Sequence, residues 1–225
     1  MTSKNFRFFI GQITSQVVIK REDGVPVVLK CYETGSSLKW FILSPMFRTS
    51  YPYVVSPLER MRRELDFFFN DWETFRVPRV IDFDLKKKCV KREYLDARPL
   101  ERPEDFELVG VALNEIHGKG YLMGDTKPQN YLIKGDTIYV IDAEQVIRCN
   151  SLRLRAWDLV VLFFFTSYLF INSYERFKEA VDYFKKGYPK INDIVHYIFD
   201  YHNLGLLSMI PAPFLMHLRR SLLNS

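Results

Sequence analysis

Four polar side chains between residues 120 and 145 could do chemistry together. The stretch GYLMGDTKPQNYLIKGDTIYVIDAEQ places Asp125, Lys127 and Asn130 in one loop, and Asp142 follows a short apolar strand. Asp and Asn side chains hydrogen-bond their own backbone in turns, so a tight surface hairpin is one interpretation. A site for a phosphate group and its metal ion is the other. Asp142 favours the second, because a carboxylate at a buried strand end needs a cation.

The elements before residue 95 are predicted to be mainly strands. Segments rich in β-branched and aromatic residues alternate with the turns EDG and TGSS, and these segments are RFFIG, SQVVIK, PVVLKCY and LKWFIL. A helix follows in SPLERMRRELDFFFNDWE, where Ser56 as N-cap, Pro57 as first residue and Glu59 as third predict a capping box. The strands RVIDFDL and KCVKREYL complete a curled antiparallel sheet with one helix on it.

The chain after residue 95 is predicted to be mainly helical. Apolar residues recur with helical spacing in PEDFELVGVALNEIHGKG, and this helix should end at Gly118. The loop GDTKPQN, the hairpin YLI–KGD–TIYVI and three or four helices from Ser151 onward follow it. We therefore expect an α+β fold with two lobes, an N-lobe of residues 1–95 and a C-lobe of residues 96–225.

Composition limits the class of protein. The 225 residues are 48% hydrophobic and 26% charged, which indicates a globular chain, and the net charge of +5 permits an anionic partner without requiring one. The apolar run LVVLFFFTSYLFI would extend about 20 Å as a helix, less than the ~30 Å core of a bilayer, so we expect a buried helix and no membrane partner. Cys31, Cys89 and Cys149 are distant in sequence and form no CxxC pair. This argues against disulfides and a zinc site, and it favours a reducing, cytoplasmic location.

The order of the polar residues resembles that of the protein-kinase-like fold. GDTKPQN is similar to the kinase catalytic loop H-R-D-x-K-x-x-N, and VIDAE is similar to the end of the Asp-Phe-Gly strand. By this resemblance Asp125 is the catalytic base and Lys127 contacts the transferred phosphoryl group. Asn130 and Asp142 would hold magnesium or manganese.

The nucleotide-binding residues follow from the same resemblance. VVLK places Lys30 at the phosphate-binding lysine, and RMRRE places Glu64 at its partner on the helix. The backbone from Glu93 to Leu95 would face adenine as the hinge. Only Gly11 remains of the glycine-rich loop, in IGQITSQVV, so ATP would have a reduced phosphate cover.

Within this fold, the details resemble small archaeal atypical kinases of the RIO type and the kinase subunit of the KEOPS tRNA-modification complex. RMRRELDFFFNDWETFRVPRVIDFDLKKKCVKREYL is similar to their αC helix, followed by P-x-V-I-D-x-D and a hinge with E-Y-L. Only residues 143–157 separate Asp142 from Asp158, which leaves no room for an activation segment, and Asp158 stands where the fold anchors its catalytic loop. The resemblance implies a magnesium-dependent atypical Ser/Thr protein kinase that uses ATP and acts on a protein substrate. It also makes RNA or an RNA-modifying complex a candidate partner.

Departures from the kinase pattern keep other functions open. Met123 replaces the loop histidine, and Arg92 occupies a back-wall position that is normally apolar. Glu144 replaces the glycine of Asp-Phe-Gly and is similar to the glutamate of small-molecule kinases, so a sugar-type kinase is one alternative. The poor glycine loop makes an ATP-binding pseudokinase or scaffold in a larger complex the other alternative.

The remaining polar residues of interest are expected to be structural. His117 is predicted to contact the C-terminal end of its helix, whereas Trp157 should lie in the core. Four arginines are predicted to face solvent, and an RNA role for them would rest on positive charge alone. They are Arg153, Arg155, Arg219 and Arg220.

Overall fold

The structure is a computed structural model that describes residues 17–32 and 50–223. Its first part is an antiparallel sheet with strand order β1-β2-β4-β3. The strands are β1 (Val17–Glu22), β2 (Val25–Cys31), β3 (Val80–Asp84) and β4 (Cys89–Glu93). The turn between β1 and β2 has positive φ at Asp23 and Gly24, the geometry that matches the twist of a two-residue hairpin. The predicted strands RFFIG and LKWFIL lie outside the described residues.

Helix α1 (Pro57–Phe68) follows the first two strands in the chain, as predicted. It begins with Pro57 after Ser56, but the Ser56 side chain makes no capping hydrogen bond. The carboxylate of Glu59 instead accepts a hydrogen bond from Nε of Arg63, at 3.3 Å. The predicted capping box is therefore wrong, because an arginine one turn later takes the carboxylate that the cap would need.

Two of the cysteines are joined, so the prediction against disulfides is wrong. Cys31 on β2 lies directly opposite Cys89 on β4, and a disulfide links them across 4.1 Å between Cα atoms. Their separation of 58 residues in sequence hides this neighbourhood, because antiparallel pairing decides which residues face each other. The cysteine content consequently gives no support to a reducing compartment.

The second part of the molecule is mainly helical. One short strand precedes a long helix, and the short strands that follow this helix frame the GDTKPQN loop before the remaining helices. The elements in chain order are β5 (Arg98–Pro99), α2 (Asp105–Gly118), β6 (Tyr121–Leu122), β7 (Tyr131–Lys134), β8 (Thr137–Val140), β9 (Ile147–Arg148), α3 (Leu152–Leu169), α4 (Tyr174–Gly187), α5 (Val195–Ile198), α6 (Leu204–Leu207) and α7 (Ala212–Leu223). The predicted end of α2 at Gly118 and the predicted hairpin of β7 and β8 are confirmed.

The core lies between helices α2, α3 and α4. Residues 159–163 of α3 are all buried, which confirms that the longest apolar run is a core helix. Helices α2 and α4 approach closely at Gly110, where a Cβ atom would lie only 2.5 Å from the carbonyl oxygen of Phe184. Among the described residues, no helix is both long and apolar enough to cross a bilayer.

The two parts together form the α+β protein-kinase-like fold. An antiparallel sheet with one helix precedes a helical part, and Asp142, just after β8, contacts Lys30 of β2. The predicted fold class is confirmed.

Candidate active site

Lys30 lies on β2 and points into a cluster of carboxylates. Its Nζ atom is 2.6 Å from Oε2 of Glu64, 3.0 Å from Oδ1 of Asp142 and 3.6 Å from Oε2 of Glu144. Burial by itself would lower the pKa of Lys30, but the Asp142, Glu64 and Glu144 carboxylates outweigh it and raise that pKa above its ordinary value. Lys30 is therefore a permanent cation in the described structure, as a phosphate-binding lysine must be.

Glu64 connects helix α1 to both Lys30 and the strand end. One carboxylate oxygen accepts from Lys30 and, at 3.2 Å, from the backbone N–H of Ala143. The other accepts from the hydroxyl of Tyr32 at 2.6 Å. Burial raises the pKa of Glu64 while Lys30 opposes that rise. Burial and the neighbouring Glu64 raise the pKa of Tyr32, so the phenol remains a donor.

Two arginines complete this buried network. Nη2 of Arg60 lies 2.6 Å from Oε2 of Glu144, and both side chains are almost fully buried. Nη1 of Arg92 donates to the carbonyl oxygen of Ile141 at 2.5 Å and lies 3.8 Å from Oε1 of Glu64. Isolated buried charges are costly, so these guanidinium groups offset carboxylates that could not otherwise remain in the interior. Among the described residues, this network includes the cations Lys30, Arg60 and Arg92 and the carboxylates Glu64, Asp142 and Glu144.

The catalytic-loop residues predicted from the sequence lie together. Nζ of Lys127 pairs with Oδ2 of Asp125, and Nδ2 of Asn130 donates to the backbone oxygen of Asp125 at 2.6 Å. Burial by itself would lower the pKa of Lys127, but the Asp125 charge outweighs it and raises that pKa. The loop therefore presents a carboxylate and a protonated amine side by side, the pair that a base and a phosphate contact require.

Asp158 anchors this loop from helix α3. Its carboxylate accepts from the backbone N–H groups of Gly124 at 2.6 Å and Met123 at 2.8 Å. Nε2 of His117 lies 3.0 Å from the same carboxylate, and Thr126 donates its hydroxyl to the Asp158 backbone oxygen. These contacts fix the backbone immediately before and after the predicted base.

His117 and Arg155 do not make the contacts predicted for them. The imidazole of His117 is buried and bridges Asp158 and the hydroxyl of Tyr188, at 2.7 Å, instead of contacting the end of its own helix. Arg155 donates to the backbone oxygen of His117 at 2.9 Å, so it is a helix-end contact and not a solvated side chain. Both differences arise because the last turn of α2 packs against α3.

Residues 51–54 hold the loop and the strand end from another side. The Tyr51 hydroxyl donates to the Gln145 backbone oxygen at 2.9 Å, and the Tyr53 hydroxyl donates to the Gly124 oxygen at 2.7 Å. The Gln145 side-chain amide accepts from the Val54 N–H and donates to the Val54 oxygen. Gly124 has a φ of +72°, and a Cβ atom there would overlap the Tyr51 ring. Glycine is therefore required beside Asp125.

The predicted metal ligands lie at one end of the β7–β8 hairpin. The backbone oxygen of Asn130 accepts from the N–H of Ile141 at 2.9 Å, so Asn130 and Asp142 leave the ladder at neighbouring positions. The Asp142 side chain is 25% exposed. The described residues contain no cluster of three or more His, Cys, Asp or Glu that could hold a metal. Two oxygen ligands fit a magnesium ion whose other ligands are nucleotide phosphates and water.

The structure gives little information on the residues predicted to bind the nucleotide base and phosphates. Glu93 ends β4, and its carboxylate accepts from the backbone N–H of Arg79 at 2.8 Å. Leu95 is buried. Gly11 lies outside the described residues, and the nucleotide-binding roles of all three stay predictions.

Three parts of the site are not identified from the sequence. Arg60 carries a signal that could have revealed it, because it precedes Glu64 by one helical turn and so shares its face. Tyr32 carries another, because it follows Lys30 by two residues and alternation places it on the same side. Residues 51–54 carry none, since their partners are 70 or more residues away in sequence.

Proteins from the genus Methanosarcina are similar to part of this chain. A probable bifunctional tRNA threonylcarbamoyladenosine biosynthesis protein of Methanosarcina barkeri (strain Fusaro / DSM 804) is 29% identical over 113 residues, which is 49% of this chain and 20% of that protein. A protein of the same description from Methanosarcina mazei is 28% identical over 137 residues, 58% of this chain and 24% of that protein. The chain thus spans about a fifth to a quarter of the length of these relatives. These matches bear out the expected resemblance to an archaeal tRNA-modification protein over about half of the chain.

No protein-family model matches the chain. Among solved structures, WaaP in complex with acyl carrier protein gives a TM-score of 0.49 at 13% identity, covering 89% of this chain and 84% of that one. The amicoumacin kinase hAmiN in complex with AMP-PNP, Ca²⁺ and Ami gives 0.45 at 11% identity, covering 98% and 94%. A fold hosts many functions, so function must be argued from the site.

Proposed function

We propose that the protein is a magnesium-dependent ATP phosphotransferase, a small atypical Ser/Thr protein kinase without an activation segment. The convergence of Glu64 and Asp142 on the ammonium group of Lys30 carries this proposal. The two carboxylates come from positions 34 and 112 residues away from Lys30, yet both lie within 3.0 Å of its Nζ atom. Phosphoryl transfer needs such a buried cation next to a metal-binding carboxylate.

The nucleotide would bind between Lys30 and the end of the β7–β8 hairpin. Lys30, held by Glu64, would contact the α- and β-phosphates, and Asn130 and Asp142 would hold the metal. A magnesium ion held there would supply positive charge against the phosphates during transfer. The contact between Lys30 and Asp142 supports this arrangement, because it places the two groups for phosphate and metal side by side.

Asp125 would act on the phosphate acceptor. It would accept the proton of the acceptor hydroxyl, whose oxygen bonds to the γ-phosphorus while the bond from that phosphorus to the ADP oxygen breaks. Lys127, paired with Asp125, would offset negative charge in the transition state. The bonds from Met123 and Gly124 to Asp158 hold Asp125 in position, which reduces the cost of orienting it.

The protein-kinase assignment is favoured over a small-molecule kinase. Glu144 is the residue that suggests a small-molecule acceptor, but its carboxylate is 2% exposed and pairs with Arg60. It therefore has a structural partner and does not need an acceptor to explain it. Lys127, which supports a Ser/Thr protein kinase, lies beside the proposed base.

We also propose a setting for this activity. The similarity to tRNA threonylcarbamoyladenosine biosynthesis proteins of Methanosarcina supports action within an RNA-modifying complex, in the cytoplasm. Binding of a tRNA whose affinity falls steeply with salt would support that setting, because phosphate contacts release counterions.

Phosphate transfer from γ-labelled ATP, with Mg²⁺ or Mn²⁺, tests the proposed activity. We expect label on protein or released phosphate with the wild type, and loss of nearly all of it in Asp142→Asn. Glu59→Gln is the matched control, because the Glu59 carboxylate is exposed and pairs with Arg63. It should transfer phosphate like the wild type.

Two results would contradict the proposal. Equal loss of transfer in Asp142→Asn and Glu59→Gln would overturn the assigned roles. Nucleotide binding by the wild type without any turnover would favour the pseudokinase alternative instead.

A further inference from the structure

Glu144 brings a third carboxylate next to the phosphate-binding lysine. It follows Asp142 by two residues, its side chain is 2% exposed, and its Oε2 atom lies 3.6 Å from Nζ of Lys30. Lys30 is already shared between Glu64 and Asp142. An additional buried negative charge at this distance competes with nucleotide phosphates for the same ammonium group.

Arg60 holds that charge. It lies one helical turn before Glu64 on α1, is fully buried, and places Nη2 2.6 Å from Oε2 of Glu144. The distance to Arg60 is 1.0 Å shorter than the 3.6 Å to Lys30, so the guanidinium is the nearer cation. Arg60 attracts Glu144 away from Lys30, so loss of Arg60 would shift the balance of attraction towards Lys30.

We propose that Arg60 is a positioning residue that neutralises Glu144 and so keeps Lys30 available for nucleotide phosphates. This inference rests on the proposed function. The same ion pair ties helix α1 to segment 141–145, which carries Asp142. Arg60 thereby sets both the charge around Lys30 and the distance between the helix that bears Glu64 and the strand end that bears Asp142.

Neighbouring contacts show that segment 141–145 is held by side chains from outside it. Arg92 holds the backbone oxygen of Ile141, Glu64 accepts from the N–H of Ala143, and Val54 pairs with the side chain of Gln145. With only residues 143–157 between Asp142 and Asp158, no activation segment can provide this support. Arg60 is the member that pairs directly with the Glu144 carboxylate of this segment, at 2.6 Å.

Calorimetric binding of Mg²⁺ with AMP-PNP to the full chain tests the proposal. We expect Arg60→Met to weaken binding by about tenfold or more, since Lys30 is then drawn to Glu144. The double variant Arg60→Met/Glu144→Gln should recover to within about threefold of the wild type, because the competing charge is gone. Arg60→Lys, which keeps the positive charge, should also bind within about threefold.

Amide exchange of Ala143 without nucleotide gives a second measurement. Its N–H donates to Glu64, so loosening of α1 against segment 141–145 should speed its exchange in Arg60→Met.

All binding is measured where each variant is fully folded, because a loss of stability alone does not change the affinity of the folded state.

The outcomes separate this inference from the proposed function. If the wild type binds no nucleotide, the proposed function fails, and unchanged Ala143 exchange in Arg60→Met would overturn the inference as well. If the wild type binds, equal affinity in Arg60→Met or no recovery in the double variant overturns the inference alone. If Arg60→Met does not fold, the double variant decides, since it removes both buried charges. Weak binding or unfolding of that variant overturns the proposal.

Discussion

Two fully buried carboxylates, Asp158 and Glu64, hold the two halves of the site in different ways. Asp158 accepts the backbone N–H groups of Met123 and Gly124, next to the proposed base, together with an imidazole contact. Glu64 accepts from Lys30, from a phenol and from one backbone N–H group, that of Ala143, and it shares its network with two arginines. Asp158 thus supports mainly backbone, whereas Glu64 supports mainly side-chain charge.

The difference explains which departures from the kinase pattern the site tolerates. Backbone N–H groups are present whatever the side chain, so Met123 can replace the loop histidine while its N–H still bonds Asp158. A buried charge network does not tolerate such single changes, because each charge needs a partner of opposite sign. Glu144 adds a buried negative charge, and Arg60 matches it with a positive one. A substitution in the loop is thus tolerated alone, whereas one in the network needs a partner.

Asp158→Asn should have the largest effect on stability. The amide would present an N–H to one of the backbone donors and leave buried groups unsatisfied, so we expect a loss of about 3–5 kcal/mol in the free energy of unfolding. Urea unfolding measures it. Asp66→Asn is the control, because the Asp66 carboxylate is half-exposed and pairs with Arg148, and it should change little. A cost of Asp158→Asn below about 1 kcal/mol would mean that the loop does not depend on this carboxylate.

Lys30→Met should disrupt the charge network around Glu64. It leaves Glu64 and Glu144, both buried, and the partly exposed Asp142 facing two arginines among the described residues, so we expect a loss of about 2–4 kcal/mol without nucleotide. Lys30→Met/Glu64→Gln restores the balance of charge and should cost less than the sum of the two single variants, by about 1–3 kcal/mol. Urea unfolding of all four proteins measures this coupling. Strict additivity would show that the charges do not act as one network.

Glu115 combines both kinds of support at the surface and offers a pH test. Its carboxylate accepts the backbone N–H groups of Glu73 and Thr74, the Thr74 hydroxyl and the Lys119 ammonium. Desolvation raises its pKa, but hydrogen bonds from Lys119 and Thr74 outweigh this and lower it from 4.5 to about 2.

The sign of the effect follows from that lowered pKa. The stabilisation from Glu115 is fully present above pH 4.5 and is lost as the pH falls from 4.5 towards about 2. After allowance for solvent screening we expect about 1–2 kcal/mol. Urea unfolding at pH 7, 4.5 and 2.5 should show Glu115→Gln less stable than the wild type at pH 7, with the gap closing at pH 2.5. A gap that is constant with pH would contradict the assignment.

Glu59→Gln should have the smallest effect on stability, because in the described part of the chain the Glu59 carboxylate bonds neither backbone N–H groups nor a buried charge. Its carboxylate is 43% exposed and, among the described residues, contacts Arg63 one turn later on the same helix face. An i,i+4 surface pair contributes about 0.3–0.5 kcal/mol, so the thermal midpoint should barely move. A loss near 1 kcal/mol would instead indicate that a capping box forms in solution.

Much of the fold could be predicted because it depends on local patterns. The period of apolar residues and the Gly118 stop predicted α2, and the KGD turn predicted the β7–β8 hairpin. The order and spacing of Asp125, Asn130 and Asp142 also predicted which loop and strand would carry polar side chains. Local geometry sets each of these features over a few residues.

Contacts across long separations could not be predicted with the same success. Cys31 meets Cys89 through strand register, and Arg60 meets Glu144 across 84 residues through the packing of α1 on segment 141–145. His117 contacts Asp158 instead of the predicted end of its own helix, for the same reason.

The sequence by itself therefore determined the elements and the chemical types available to the site. The tertiary structure alone decided which charges meet. Periodicity acts between neighbours along the chain, whereas ion pairing depends on burial and on the register of elements that pack from distant parts of it.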